Sequence, residues 1–226
     1  MQIGRVIGTV VSTAKHRKLD GAKLLLVQPL TLDDQPRGVP LLTIDSVGAG
    51  VGEKVLVVGA SAGVAVAAIK IASHLGARVF ATSRSEAKRK RALEIGAEAV
   101  FDSSEFSKPV REATDGGVDV VFEHVGPATL GESMRSVVLG GRVVLCGSTS
   151  GVKAEITMPR LFWGQMDLLG STMGNVGEFQ AVLDAIDGGL RPVVDSVYPL
   201  ADVQAALERL DSAEQFGKVV LSVSDR

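Results

Sequence analysis

Hydrophobic and polar positions along the chain change rhythm near residue 53. Before it, Val6, Val10 and Val11, then positions 24–27, then positions 41–47 make short apolar runs with no helical period, and Asp33-Asp34-Gln35-Pro36-Arg37-Gly38 supplies a turn. That is the punctuation of a small β module. Gly48-Ala49-Gly50-Val51-Gly52 follows as a flexible joint. From Lys54 onward, short apolar runs alternate with helical stretches. The pattern predicts strands at 54–59, 77–82, 98–101, 118–122 and 141–146 and helices at 63–75, 85–95, 105–114 and 128–139. A strand at 167–171, a helix at 176–187, a strand at 193–197, a helix at 200–211 and a last strand at 218–223 complete the reading. Successive βα steps argue for a parallel sheet with right-handed crossovers. The expected fold is therefore α/β: a Rossmann-type doubly wound parallel sheet with a small N-terminal antiparallel β module.

Composition agrees with this and removes several alternatives. With 226 residues, 46% hydrophobic and only 4% aromatic, the chain has the small aliphatic side chains that pack a parallel sheet. Lys plus Arg total 24 against 26 for Asp plus Glu, so no net field draws nucleic acid or an anionic membrane. The single cysteine, Cys146, allows no intramolecular disulfide and no multi-cysteine zinc cage. A soluble protein of the reducing cytoplasm is expected, since the N-terminus lacks the pattern of a signal peptide and no uncharged run reaches membrane-spanning length.

The chemistry gathers at the first strand-to-helix turn of the second region. A dinucleotide fold needs small residues there, so that backbone N–H groups reach a pyrophosphate at a helix N-terminus. Gly59-Ala60-Ser61-Ala62-Gly63-Val64-Ala65 meets that size requirement in part. A tight turn with close helix packing accounts for Gly59 and Gly63 as well. The end of the second strand says more: Ser83, Arg84 and Lys88 offer hydroxyl and cationic groups, and no carboxylate stands at the strand tip. A ribose 2′-phosphate wants such a set, so NADP(H) is the expected cofactor. Lys90 and Arg91 read as a solvated helix face. His124, beside Glu123 at the mouth of the fourth strand, is a weak candidate proton donor, set against a loop histidine bonded to backbone. His16 and His74 read as surface residues, and Cys146 as a small buried hydrophobe at a strand end.

Residues 53–226 resemble the cofactor-binding half of a medium-chain dehydrogenase/reductase, in the zinc-binding-type alcohol dehydrogenase and quinone oxidoreductase group. The resemblance lies in VLVVGASAGVAVAAIKIASHLGARVFATSRSEAKRKRALEIGAEAVFD, GVDVVFEHVGPATLGESMRSVVLGGRVVLCGSTSG, LFWGQMDLLGSTMG and EQFGKVVL. It implies an NADP(H)-dependent oxidoreductase that transfers hydride with a carbonyl, alcohol or quinone. It also implies that Gly59, Ser61, Ala62, Gly63 and Val64 form the phosphate turn, that Val125 and Gly126 meet the nicotinamide side, that Cys146, Gly147 and Ser148 form the loop closing on the same ring, and that Gly217 and Lys218 lie near the cofactor. Ala62 and Ala65 stand where the family commonly has glycine, each methyl pushing the chain away from the phosphates, and Asp102 stands where many relatives have an aromatic. The family's long N-terminal catalytic domain, which supplies the zinc ligands in zinc members, is replaced by residues 1–52 with one histidine and no cysteine. No zinc is expected.

Those first residues resemble another family, the EutN/CcmL vertex proteins of bacterial microcompartment shells, through MQIGRVIGTVVSTAKH, LDGAKLLLVQPL and TIDSVGAGVGEKVLVV, the match stopping near Val58. Segment 53–58 fits both a strand of the vertex barrel and the first strand of the dinucleotide sheet, and one strand cannot centre two cores. Residues 1–52 are accordingly a partial vertex-like module, with 1–47 expected as a small antiparallel sheet covering the surface that the absent catalytic domain leaves. The alternative function is a shell vertex-associated structural protein carrying a reductase fragment, in a microcompartment and pentameric; a fusion or truncation product with neither activity intact is the third reading. Expected partners are a dinucleotide and a small-molecule substrate, with a homo-oligomer or shell association as further options.

Overall fold

Val55 to Val58 alternate strictly between two cores in the computed structural model, which describes residues 3–10, 24–30, 35–36, 41–44 and 52–223. Leu56 and Val58 belong to the apolar cluster on one face of the sheet, with Phe106, Val110, Leu130 and Met134. Val57 belongs to the cluster on the other face, with Ala65, Val66, Ile69 and Ala92, and Val55 packs against it. A period of two with both faces buried is what a central strand of a parallel sheet requires.

The chain divides into two compact units, Met1–Ala49 and Gly50–Arg226. In the first unit, β1 (Ile3–Val10), β2 (Leu24–Leu30) and β3 (Leu41–Ile44) pair antiparallel in the order β1-β2-β3. The expected turn at 33–38, apart from Gln35 and Pro36, lies outside the described residues, as do His16 and the joint up to Val51.

The second unit runs β4 (Lys54–Val57), α1 (Gly63–His74), β5 (Arg78–Thr82), α2 (Glu86–Glu94), β6 (Ala99–Phe101), α3 (Ser107–Ala113), β7 (Val118–Glu123), α4 (Pro127–Ser136), β8 (Val137–Leu145), α5 (Met158–Trp163) and β9 (Asp167–Gly170). It continues through α6 (Val176–Asp187), β10 (Val194–Pro199), a turn of 3-10 helix (Leu200–Asp202), α7 (Val203–Asp211) and β11 (Lys218–Ser222). Six strands form one parallel sheet in the order β6-β5-β4-β7-β8-β9. The order reverses at β4, so the ends of β4, β5 and β7 open a crevice at the switch point.

Two features depart from the sequence reading. Residues 137–139, expected as the end of a helix, open β8 instead, Val137 pairing with Val118. The β-branched pair Val137-Val138 and the positive φ of Gly140 (+75°) favour that early exit from helix. Helix α5 was not anticipated, because Met158-Pro159-Arg160-Leu161-Phe162-Trp163 shows no apolar stripe and buries no residue fully. Strands β10 and β11 do not extend the main sheet but pair with each other in parallel as a separate two-stranded sheet.

Candidate functional site

The turn from β4 into α1 is built by hydrogen bonds to the end of β5. Gly59 adopts a φ of +76°, its N–H donates to Thr82 Oγ1 at 3.1 Å, and the Ala60 N–H donates to the Thr82 carbonyl at 2.7 Å. Thr82 is fully buried, so the turn is held rigidly against its neighbour strand. No side chain caps α1, and its first turn holds no acidic residue. The free N–H groups at a helix start carry partial positive charge and suit an anion.

A cation stands at the same place. The Lys218 stem crosses Gly63 so closely that a Cβ there would lie 2.5 Å from Nζ and 2.9 Å from Cε. Among the described residues Nζ has no hydrogen-bond or ion-pair partner. Gly217, with φ +101° and its N–H donating to the Ser61 carbonyl at 3.3 Å, brings β11 to this corner. Ala65, by contrast, is wholly buried in the core, so its methyl faces the sheet and not a bound phosphate. Only Ala62 of the two expected replacements lines the cleft.

The cleft has a volume of about 1010 Å³ and two ends. At the β5 end, Ser83, Arg84 and Lys88 come together with Ser103 and Ala213. Ser83 is nearly buried, its Oγ accepting the Ser85 N–H at 3.4 Å, while Arg84 is exposed. Lys88 donates to the Ala213 carbonyl at 2.5 Å. Burial first, and then nearby Arg209, hold its ammonium below the ordinary lysine range.

Arg91 corrects the solvated-face reading. It pairs with Asp195 at 3.3 Å, lies 4.6 Å from the Phe216 ring centroid, and lines the cleft. The Asp195 side chain is 3% exposed and also takes Arg209 Nε at 3.0 Å. With the Arg209 guanidinium as the main cause, and the Phe216 N–H and Arg91 adding to it, the carboxyl is held far below the usual aspartate range. Asp102 pairs with Arg89 at 3.0 Å.

At the β7 end, Gly59, Ser61 and Ala62 meet His124, Val125 and Thr149. Glu123 is fully buried, without a cationic partner among the described residues, and its carboxylate collects local donors: the N–H of Val125 at 2.8 Å and of Gly126 at 3.1 Å, Thr129 Oγ1 at 3.0 Å and Ser133 Oγ at 2.5 Å. It fixes the turn after β7. His124 is 7% exposed, and among the described residues its Nε2 has no hydrogen-bond partner.

Gly126, Gly147 and Ser148 do not line the cleft but pack the turn from behind. A Cβ on Gly126 would lie 2.7 Å from Ser148 Oγ, and one on Gly147 would lie 2.8 Å from the His124 carbonyl. Cys146 is half-buried, with Sγ 3.7 Å from the Glu123 carbonyl, and burial followed by Glu123 raises its thiol above the ordinary range. Gly63, Val64, Gly217 and Lys218 flank the turn outside the cleft lining. Ser103, Thr149 and Ala213 were missed by the sequence reading, having no motif of their own. Among the described residues no three His, Cys, Asp or Glu side chains gather as a metal site, and no helix is long and apolar enough to cross a membrane.

Comparison with known proteins gives two family matches. The zinc-binding dehydrogenase model matches residues 63–188, more than half of the chain, and the ethanolamine utilisation protein EutN/carboxysome model matches residues 1–100. The second match does not stop near Val58 but runs on into residues that fold here as α1, β5, α2 and the start of β6. A quinone oxidoreductase of Rattus norvegicus is 32% identical over 201 residues, covering 81% of this chain and 60% of the relative. Among solved structures, the 2-octenoyl-CoA carboxylase reductase CinF in complex with NADP and 2-octenoyl-CoA matches at 29% identity and a TM-score of 0.73, over 79% of this chain and 45% of that one. An NAD-dependent alcohol dehydrogenase matches at 26% identity and a TM-score of 0.72, over 98% of this chain and 81% of that one. The chain thus spans about 60% of the length of the rat relative.

Proposed function

This chain belongs to the zinc-binding dehydrogenase family, and from that premise we propose that residues 53–226 hold NADP(H) in the switch-point cleft and serve hydride transfer with a carbonyl, alcohol or quinone. The observation that carries the proposal is the Lys218 ammonium, unpaired among the described residues, over the uncapped start of α1. A cation at the positive end of a helix is unfavourable alone and favourable once an anion sits between them. A dinucleotide pyrophosphate is that anion.

The nicotinamide, when bound, supplies the hydride chemistry, and the chain supplies binding and orientation. Lys218 and the α1 N–H groups offset the pyrophosphate charge. Arg84 and Lys88 read the 2′-phosphate at the β5 end, Ser83 standing beside them. Val125, held by Glu123, walls the β7 end against water. NADP in the CinF complex supports this cofactor, and the NAD-dependent relative makes the choice testable. Zinc does not fit the residues described: no cluster of donors offers three ligands, and the Cys146 sulfur turns to the Glu123 carbonyl.

A second reading rests on the EutN/carboxysome match to residues 1–100. Residues 1–52 would then be a partial vertex-like module that associates this protein with a microcompartment shell. Native mass spectrometry tests it: a pentamer supports the reading, and a monomer or dimer removes it. The leading proposal is tested by titrating NADPH and NADH by fluorescence. Binding of NADPH well ahead of NADH is expected, binding of neither overturns the proposal, and equal binding overturns the roles of Ser83, Arg84 and Lys88.

A further inference from the structure

We infer that a second anion site lies at the edge of the parallel sheet opposite the crevice, where Lys108, Arg111, Arg135 and Arg160 surround a cavity that takes a phosphate or sulfate dianion. The cavity has a volume of about 540 Å³, and Gly116 and Glu112 are part of its wall. Gly116 stands just before β7, and Arg135 just before β8. The cavity thus lies where those strands begin, whereas the crevice lies where β4, β5 and β7 end. Strand β7 has 6 residues, so about 20 Å of chain separates the two places. The inference stands apart from the dinucleotide reading.

The carbonyls that end α4 draw the guanidinium groups together. Arg160 donates from Nε to the Met134 carbonyl at 3.2 Å, and from one terminal nitrogen to the carbonyls of Arg135 at 3.1 Å and Val137 at 3.3 Å. Arg111 donates to the same Arg135 carbonyl at 3.4 Å. Two guanidinium groups therefore meet on one oxygen. A cation at a helix C-terminus is favourable, but the dipole there offers only about half an elementary charge.

Ion pairing does not close the gap. Glu132, paired with Arg135, and Glu112 on the cavity wall stand against all four cations. Lys108 is exposed and, among the described residues, has neither a hydrogen bond nor an ion pair. Burial first, and then Arg111 and Arg135, hold the Arg160 guanidinium below the ordinary arginine range, the direction in which crowding by like charges acts. Capping of α4 accounts for Arg160, but not for Lys108 or for a second guanidinium on the same carbonyl. An oxyanion in the cavity removes the repulsion, and guanidinium forks match the oxygen spacing of phosphate and sulfate.

NMR of the isotope-labelled full chain, titrated with sodium phosphate and separately with sodium chloride at matched ionic strength, tests the site. Phosphate is expected to shift the amides of residues 107–116 and 135–137 saturably, with no such response to chloride. Shifts at residues 59–65 report phosphate in the crevice and are read separately. K108Q/R111Q removes two cations and leaves the Arg160 cap in place. It is expected to weaken phosphate binding at 107–116 at least about tenfold, with the response at 59–65 unchanged. An unchanged midpoint in K108Q/R111Q, equal responses to chloride and phosphate, or no shift at 107–116 overturns the inference. Should the double variant not fold, K108Q alone is expected to weaken binding about threefold, and an unchanged midpoint there overturns the inference equally.

Discussion

Lys218 Nζ and Gly63 share one point in space: a Cβ on Gly63 would lie 2.5 Å from the ammonium. The obstacle is the far end of a flexible side chain, so G63A costs little stability. It does displace the cation from the start of α1. NADPH affinity is expected to fall about tenfold in G63A and similarly in K218A, with the double variant scarcely weaker than either. Fluorescence titration of the three variants checks the non-additivity; additive losses would place the two residues in separate roles.

Arg84 and Lys88 differ in how free they are. Arg84 is exposed, whereas Lys88 already donates to the Ala213 carbonyl at 2.5 Å. R84A is therefore expected to cut the NADPH-over-NADH preference about tenfold through NADPH alone, with K88A acting more weakly. The ratio of the two dissociation constants is the measurement, and an equal loss for both nucleotides contradicts the assignment.

Glu123 bonds two backbone N–H groups and two hydroxyls in a fully buried setting. E123A leaves those donors without an acceptor and costs about 2–4 kcal/mol. For a domain of this size the melting temperature falls by at least about 5 °C. E123Q keeps one carbonyl oxygen and loses less. Calorimetry on both variants tests the order.

Asp195 sets an acid limit. Its folded-state carboxyl titrates well below the unfolded value of about 3.9, chiefly because of Arg209. A depressed folded-state pKa stabilises the fold above the unfolded value, and that contribution drains away as pH falls below about 4. Thermal melts should show wild type losing stability more steeply than D195N between roughly pH 4 and pH 2, and exceeding D195N at pH 7. Parallel acid profiles would mean that Asp195 is not the group responsible.

The parallel sheet was legible in sequence because each strand carries its own apolar run and each helix its own period. Val55 to Val58 and the turn from Gly59 to Gly63 announced the crevice at the centre of the sheet. Properties set by distant partners were not legible. Arg91 reads as one more charge on a basic helix until Asp195, 104 residues away, is placed beside it. Val137 and Val138 were claimed for a helix by the apolar period running through α4, and pairing of Val137 with Val118 decided otherwise. Sequence position alone makes Ala65 a steric intruder on the phosphates, whereas helix rotation puts its methyl in the core.

The pair β10–β11 has no backbone ladder to the main sheet, yet the tail of the chain returns to the crevice through Ala213 at one end and Lys218 at the other. If the proposed nucleotide bridges those corners, linkage works in both directions: the bound nucleotide would stiffen the tail, and a change that loosens the tail would be felt as lost nucleotide affinity. Truncations or fusions at the C-terminal end of this chain consequently act on the same equilibrium as substitutions in the phosphate turn.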